Sequence, residues 1–142
     1  MNLYAESSAV LAWLLDEPSA AEVRRWLESA DIIVTSDVTL IECNRVLSRA
    51  AALGELTEAE TSDRRAHLTS AAGHWHVLHL AAEIIDRAKL PFPEEPVRTL
   101  DALHLASALT ARAAVAELAI LSLDDRVRRS AKTLGLSVLP QS

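Results

Sequence analysis

The sequence predicts an α/β fold in three layers, α/β/α, with helices on both faces of a central, mostly parallel sheet of about five strands. Three observations carry this expectation. Short apolar runs alternate with helical patterns from one end of the chain to the other. The run Ile32 to Thr35 is β-branched throughout and reads as a buried strand. The chain has 142 residues, 50% of them hydrophobic, and with only 3 Gly, no repeat and no low-complexity tract it reads as a single domain, 1–142, able to bury a sizeable core.

Taken in order, Asn2 to Glu6 make a strand-like opening, and Ser7 or Ser8 can cap the apolar run Ala9 to Leu15 as a helix. Pro18 suits the first turn of a second helix reaching about Leu27. After the strand Ile32 to Thr35, Ser36 or Asp37 caps a long helix that Gly54 can end. Thr57 with Glu60 forms a capping-box signature for a helix closed by Gly73. A short strand, His76 to Leu78, and a helix from about Ala81 to Lys89 come next. Pro91 to Pro96 holds three of the 5 prolines and is a loop. Thr99 or a neighbour opens an apolar helix to about Val115. Then come a strand Leu118 to Leu123, a helix Asp125 to Leu134 ended by Gly135, and a last strand Ser137 to Leu139.

Composition narrows the function only weakly. A net charge of −6 speaks against a nucleic-acid partner, since phosphate binding usually shows a basic surplus. Two divalent cations held by the acids would bring −6 to −2 and let the arginines dominate locally. The apolar runs are broken by charges well short of a membrane span, and no leader pattern opens the chain, so no membrane partner and a cytoplasmic location are expected. The single cysteine, Cys43, has no disulfide partner and reads as a small core residue.

The informative acids are those set among apolar residues. Glu42 lies on a helix with Val38 one turn before it and Val46 one turn after, although Arg45 or Arg49 offers it a counter-charge. Asp101 has Leu105 one turn on and Leu100, Ala102 and Leu103 around it, and can also serve the dipole of its helix. An unpaired ionised carboxylate in such a setting costs several kcal/mol, so something positive belongs near each. Glu6 and Asp124 sit at strand ends, where open parallel sheets bind ligands beyond the carboxyl edge at a switch in strand order. Singly, Asp124 reads equally as an N-cap and Glu6 as a surface acid. Together, clustered carboxylates repel unless cations lie between them, and an oxygen-rich site suits Mg²⁺ or Mn²⁺.

These residues resemble the PIN-domain ribonucleases of the VapC toxin type. The likeness runs over essentially the whole chain, through YAESSAVLAWLLDEPSA, TSDVTLIECNRVLSRA, RTLDALHLASAL and ILSLDDRVRRSAKTLGLSVL, the last two being the most specific. It implies a PIN-like fold and a catalytic set of Glu6, Glu42, Asp101 and Asp124, with Glu6, Asp101 and Asp124 on the metal and Glu42 acting through water or orienting the nucleophile. Asp125 competes for the last position, but Val127 falls where the family carries an aliphatic residue if Asp124 is chosen. The family's small hydroxyl residues near the metal correspond to Ser8 and Ser122. The implied reaction is in-line attack of activated water on an RNA phosphodiester, leaving 5′-phosphate and 3′-hydroxyl ends, with Mg²⁺ or Mn²⁺ as cofactor. The implied partners are an RNA substrate, a small VapB-like antitoxin and a second copy of the chain in a homodimer. One departure is that the family's first acid is normally Asp, whereas Glu6 carries an extra methylene worth roughly 1.5 Å of reach.

Other candidates have plainer readings. His74, His76 and His79 cluster near a strand without the further ligands zinc would want. His104, one turn from Asp101, can bond a carboxylate, approach substrate or serve structure. Arg126, Arg128 and Arg129 can hold phosphates or form a solvated helix face. Trp13 and Trp26 suit the core or a partner interface better than base stacking. The competing function is a non-catalytic RNA- or protein-binding module, a degenerate PIN domain disabled by Glu6. An acid-pocket phosphatase would want an aspartyl nucleophile where Glu6, Ser7 and Ser8 stand.

Overall fold

The computed structural model describes residues 1–141. Its strands are β1 (Asn2–Ala5), β2 (Ile32–Ser36), β3 (His76–Leu78), β4 (Leu118–Leu121) and β5 (Ser137–Leu139), joined in one sheet of order β3-β2-β1-β4-β5. All four pairings are parallel, so the sheet is wholly rather than mostly parallel. The helices are α1 (Ser7–Leu14), α2 (Ala20–Ser29), α3 (Asp37–Ala52), α4 (Glu58–Ala72), α5 (Ala82–Ala88), α6 (Thr99–Ala114) and α7 (Asp125–Thr133).

The pleat sorts strand residues between two cores. Tyr4, Val34, Leu118 and Ile120 pack with Phe92, Ala102, Leu105 and Ala108 of the α6 side and with Val127 and Ala131 of α7. The alternate residues Leu3, Ala5, Ala119 and Leu121 face the other way, against Ala9 and Val10 of α1, Val23 of α2, Cys43 and Leu47 of α3 and Leu68 of α4. The three layers result from this two-sided burial. Cys43 is fully buried, and burial, helped by the charges of Glu42 and Glu6, pushes its thiol up to about 12, which makes it an inert core residue.

The switch in strand order lies beside β1. From β1 the chain adds β2 and β3 on one side, then crosses back to lay β4 against the other side of β1. Asn2 through Ala5 pair in step with Leu118 through Leu121, and the ladder continues one step further as the Glu6 amide donates to the Leu121 carbonyl at 3.0 Å. The carboxyl ends of β1 and β4 are therefore neighbours at the crevice where such sheets bind ligands.

Several boundaries differ from expectation. Neither Ser7 nor Ser8 caps α1; Glu6 does, its side chain accepting from the Ser8 amide, so β1 stops at Ala5. Pro18 lies ahead of α2, whose N-cap is Ser19. Strand β4 ends at Leu121 because Ser122 to Asp124 turn away to start α7, whereas α6 opens at Thr99 as expected. The Thr57–Glu60 capping box forms in both directions, and Gly54 and Gly135 adopt positive φ just past α3 and α7. No helix among the described residues is long and apolar enough to cross a membrane.

Candidate functional site

A cleft of about 370 Å³ opens over the carboxyl ends of β1 and β4. Glu6, Glu42, Asp101 and Asp124 all line it, with Ser7, Ser8, Leu11, Arg98, Thr99, Leu100 and His104. Four acids from four segments of sequence thus reach one place. Asp125 is exposed and does not line the cleft, whereas Asp124 does.

Glu6 lies at the floor, 4% exposed. Its Oε1 accepts from the hydroxyls of Ser8 and Ser122, each at 2.5 Å, and its Oε2 accepts from the Ser8 amide at 2.9 Å. The Ser8 hydroxyl oxygen in turn accepts from the amides of Leu123 at 2.8 Å and Asp124 at 3.1 Å, stitching the end of β1 to the turn after β4. Both candidate hydroxyl residues therefore serve the same carboxylate. The additional methylene of Glu6 carries that carboxylate across to Ser122, so the longer side chain has its own fitted partners.

Glu42 is held by a different set. It pairs with neither Arg45 nor Arg49. The Ser7 hydroxyl donates to its Oε1 at 2.7 Å, and the same oxygen lies 2.6 Å from His104 Nε2. Burial pushes the Glu42 carboxyl up, but the hydrogen bonds from His104 and Ser7, with the charges of His104 and Arg98, outweigh it and leave the group below its ordinary range. Behind it the buried chain continues from His104 Nδ1 to the Tyr4 hydroxyl at 3.0 Å and on to the Ser36 hydroxyl at 2.8 Å. With Nε2 turned to Glu42 and Nδ1 to the Tyr4 hydroxyl, both ring nitrogens are held by buried partners. Burial pushes the Tyr4 phenol up, which keeps it neutral and able to donate.

Asp101 and Asp124 share one cation. Arg98 Nε donates to Asp101 Oδ2 at 3.1 Å, and Arg98 Nη2 lies 3.8 Å from Asp124 Oδ2. The hydrogen bond to Asp101 and its charge, with those of Asp124 and Glu42, hold the guanidinium firmly protonated. Asp124 is also an N-cap: its Oδ1 accepts from the amides of Arg126 at 2.9 Å and Val127 at 3.0 Å, leaving Oδ2 for the cleft. The capping and cleft roles use different oxygens and coexist.

The donor set suits a hard divalent cation. Asp101 Oδ1 and Asp124 Oδ2 accept no hydrogen bond among the described residues, and anionic oxygens are what Mg²⁺ and Mn²⁺ prefer. No three His, Cys, Asp or Glu among the described residues converge closely enough to hold a metal ion, and Arg98 bridges two of the acids. The residues fit such an ion by the chemistry of their donors and by lining one cleft, while in this arrangement the counter-charge is supplied by Arg98.

Three participants carry no signal in the sequence strong enough to mark them. Ser7 reads there only as a helix cap, Arg98 only as part of a family motif, and Tyr4 as a strand residue. None has a periodicity that would single it out; Arg98, a cation three residues before Asp101, offers the one local hint. The remaining candidates lie elsewhere. Arg128 is committed to the carbonyls of Ser122 at 2.7 Å and Pro140 at 2.6 Å, His79 turns to Asp37 at 3.2 Å, and Trp13 and Trp26 pack partly buried against the core around α1 and α2.

A three-layer α/β/α fold whose carboxylates meet at the switch point defines a class: the PIN domain family matches residues 3–133, and the chain belongs to that family. Within it the likeness is to VapC proteins. The chain is 34% identical over 140 residues to Ribonuclease VapC46 of Mycobacterium tuberculosis, covering 99% of this chain and 98% of that protein. Among solved structures, VapBC2 from Rickettsia felis bound to a DNA fragment from its promoter superposes with a TM-score of 0.66 at 10% identity, covering 97% of both chains. Mycobacterium tuberculosis VapC20, a Sarcin-Ricin loop cleaving toxin, does so with a TM-score of 0.65 at 16% identity, covering 90% of this chain and 94% of that one. At these identities the two structures speak for the fold.

Proposed function

We propose that the chain is an endoribonuclease dependent on Mg²⁺ or Mn²⁺, the toxin of a VapBC-type pair. The observation that carries this reading is the meeting of Glu6, Glu42, Asp101 and Asp124 in one cleft at the junction of β1 and β4. It is supported by 34% identity over nearly the full length to a protein named as a ribonuclease. Glu6, Asp101 and Asp124 would hold the cation, with Ser8 and Ser122 orienting Glu6. When bound, such a cation polarises a phosphodiester and activates water for in-line attack.

The chain's own residues do the rest. The Ser7–His104–Tyr4–Ser36 network holds Glu42 ionised at the cleft wall, where its Oε2, which accepts no hydrogen bond among the described residues, can orient an incoming water or take its proton. The half-exposed Leu100 and the partly buried Leu11 give the cleft an apolar side that limits water around the scissile bond. An antitoxin partner, self-association and a cytoplasmic setting belong to the same proposal, as does the reading of 1–142 as one domain.

A second reading has its own support. Glu6 has both oxygens occupied by hydrogen bonds within the chain, which is how a PIN domain retired to binding would look. Cleavage of a labelled RNA with Mg²⁺ or Mn²⁺, compared among wild type, Glu6→Asp and Asp101→Asn, separates the two. Wild-type cleavage that EDTA and Asp101→Asn abolish is expected. If wild type and Glu6→Asp are both as inactive as Asp101→Asn, the binding-module reading takes its place.

A further inference from the structure

Two clefts meet at Arg98. Beside the acidic cleft lies another of about 360 Å³, lined by Pro96, Val97, Arg98, Asp101, Arg126 and Ser130. It shares Arg98 and Asp101 with the first, so one guanidinium borders both spaces. The Arg98 side chain is 58% exposed, and among the described residues its ion pairs are with the two carboxylates alone. Arg126, which also lines the second cleft, is exposed and makes no ion pair or side-chain hydrogen bond among the described residues. It differs in this from Arg128 on the same helix, which is spent on two backbone carbonyls.

Charge couples the two clefts. Arg98 neutralises the two carboxylates that the nuclease reading assigns to a divalent cation. A guanidinium and a doubly charged ion on the same pair of acids repel each other even in a solvated cleft. The arginine must turn away when the ion enters, and the space that opens to it is the second cleft, where Arg126 already presents an unpaired fork. Two guanidinium groups bordering one pocket supply the paired N–H donors that a phosphate takes.

We propose that Arg98 is a two-position residue: resident counter-cation of Asp101 and Asp124 in the free protein, it turns into the adjoining cleft on cation entry and there, with Arg126, holds a backbone phosphate of the RNA strand beside the one being cut. This rests on the nuclease reading and adds to it a subsite and a competition between an internal and an external cation.

The test has two arms. Isothermal titration of the RNA-free protein with Mn²⁺ should show Arg98→Gln binding the ion about three- to tenfold more tightly than wild type, because one competitor has gone. In steady-state cleavage of a single-stranded RNA, Arg126→Gln should raise KM several-fold with kcat nearly unchanged, and the slope of log kcat/KM against log salt should fall by roughly 0.7 because one fewer phosphate is neutralised. Arg25→Gln on α2, exposed and bordering neither cleft, controls for removal of a positive charge. Mn²⁺ affinity that is unchanged or weaker in Arg98→Gln overturns the competition, and KM and salt slope of Arg126→Gln matching the Arg25→Gln control overturn the subsite. Failure of wild type to cleave under any metal overturns the nuclease reading and the subsite with it, an outcome distinct from normal cleavage that ignores both arginines.

Discussion

Shortening Glu6 to Asp tests whether the longer acid is fitted to this site. An Asp carboxylate would sit roughly 1.5 Å further back. The hydroxyls of Ser8 and Ser122, each now 2.5 Å from Oε1, would then lie at about 4 Å, outside hydrogen-bonding range. A hydrogen bond to a charged group contributes about 1.5–3 kcal/mol, so losing two sets an upper range of about 3–6 kcal/mol. Part returns, since Asp is the better N-cap for α1 and recovers ~0.5–1 kcal/mol, and Ser8 can turn to follow it. The net expectation is a loss of about 2–3 kcal/mol, read by urea unfolding in EDTA so that no cation contributes. Ser122→Ala should cost about 1.5–2 kcal/mol alone and little more in the Glu6→Asp background, because the bond it removes is already broken. A Glu6→Asp protein as stable as wild type, or strict additivity with Ser122→Ala, would refute the idea that the serines are placed for the longer side chain.

The same geometry yields three more expected outcomes. Asp124→Asn should keep α7 capped and stability within ~0.5 kcal/mol while cleavage drops at least about a hundredfold, whereas Asp124→Ala should also lose about 1 kcal/mol in urea. Replacing His104 with Phe leaves Tyr4 and Glu42 without their buried partner and should cost about 2–4 kcal/mol; a loss below ~1 kcal/mol would show that the network is dispensable to the fold. Because the Glu42 carboxyl lies below its ordinary value of 4.5, its ionisation stabilises the fold above that pH, and the contribution is lost as pH falls through the depressed folded value. Wild type should therefore lose stability more steeply than Glu42→Gln as pH drops below about 4.5, with the two curves converging in acid; parallel curves from about pH 7 to about pH 3 would count against the Ser7 and His104 hydrogen bonds.

The alternation of apolar runs with helical patterns determined the three-layer fold, because period and capping are local properties that a linear string carries intact. It also determined which acids to suspect: Glu42 and Asp101 sit among aliphatic neighbours that no surface carboxylate would choose, and Glu6 and Asp124 stand at strand ends. What the string could not carry was adjacency. That β1 lies between β2 and β4 is a matter of strand order, and only that order sets Ser122 beside Glu6, 116 positions away in the chain. The same holds for His104, which reaches Glu42 across 62 residues although Arg45, three residues away, is the nearer charge in sequence. A helix face points its charges outward to solvent unless a neighbouring layer calls them in, and which layer arrives is decided by packing. Arg98 shows the limit most clearly: three residues from Asp101 in sequence, it became the shared counter-charge of Asp101 and Asp124 only when α6 and the turn before α7 were brought to the same cleft.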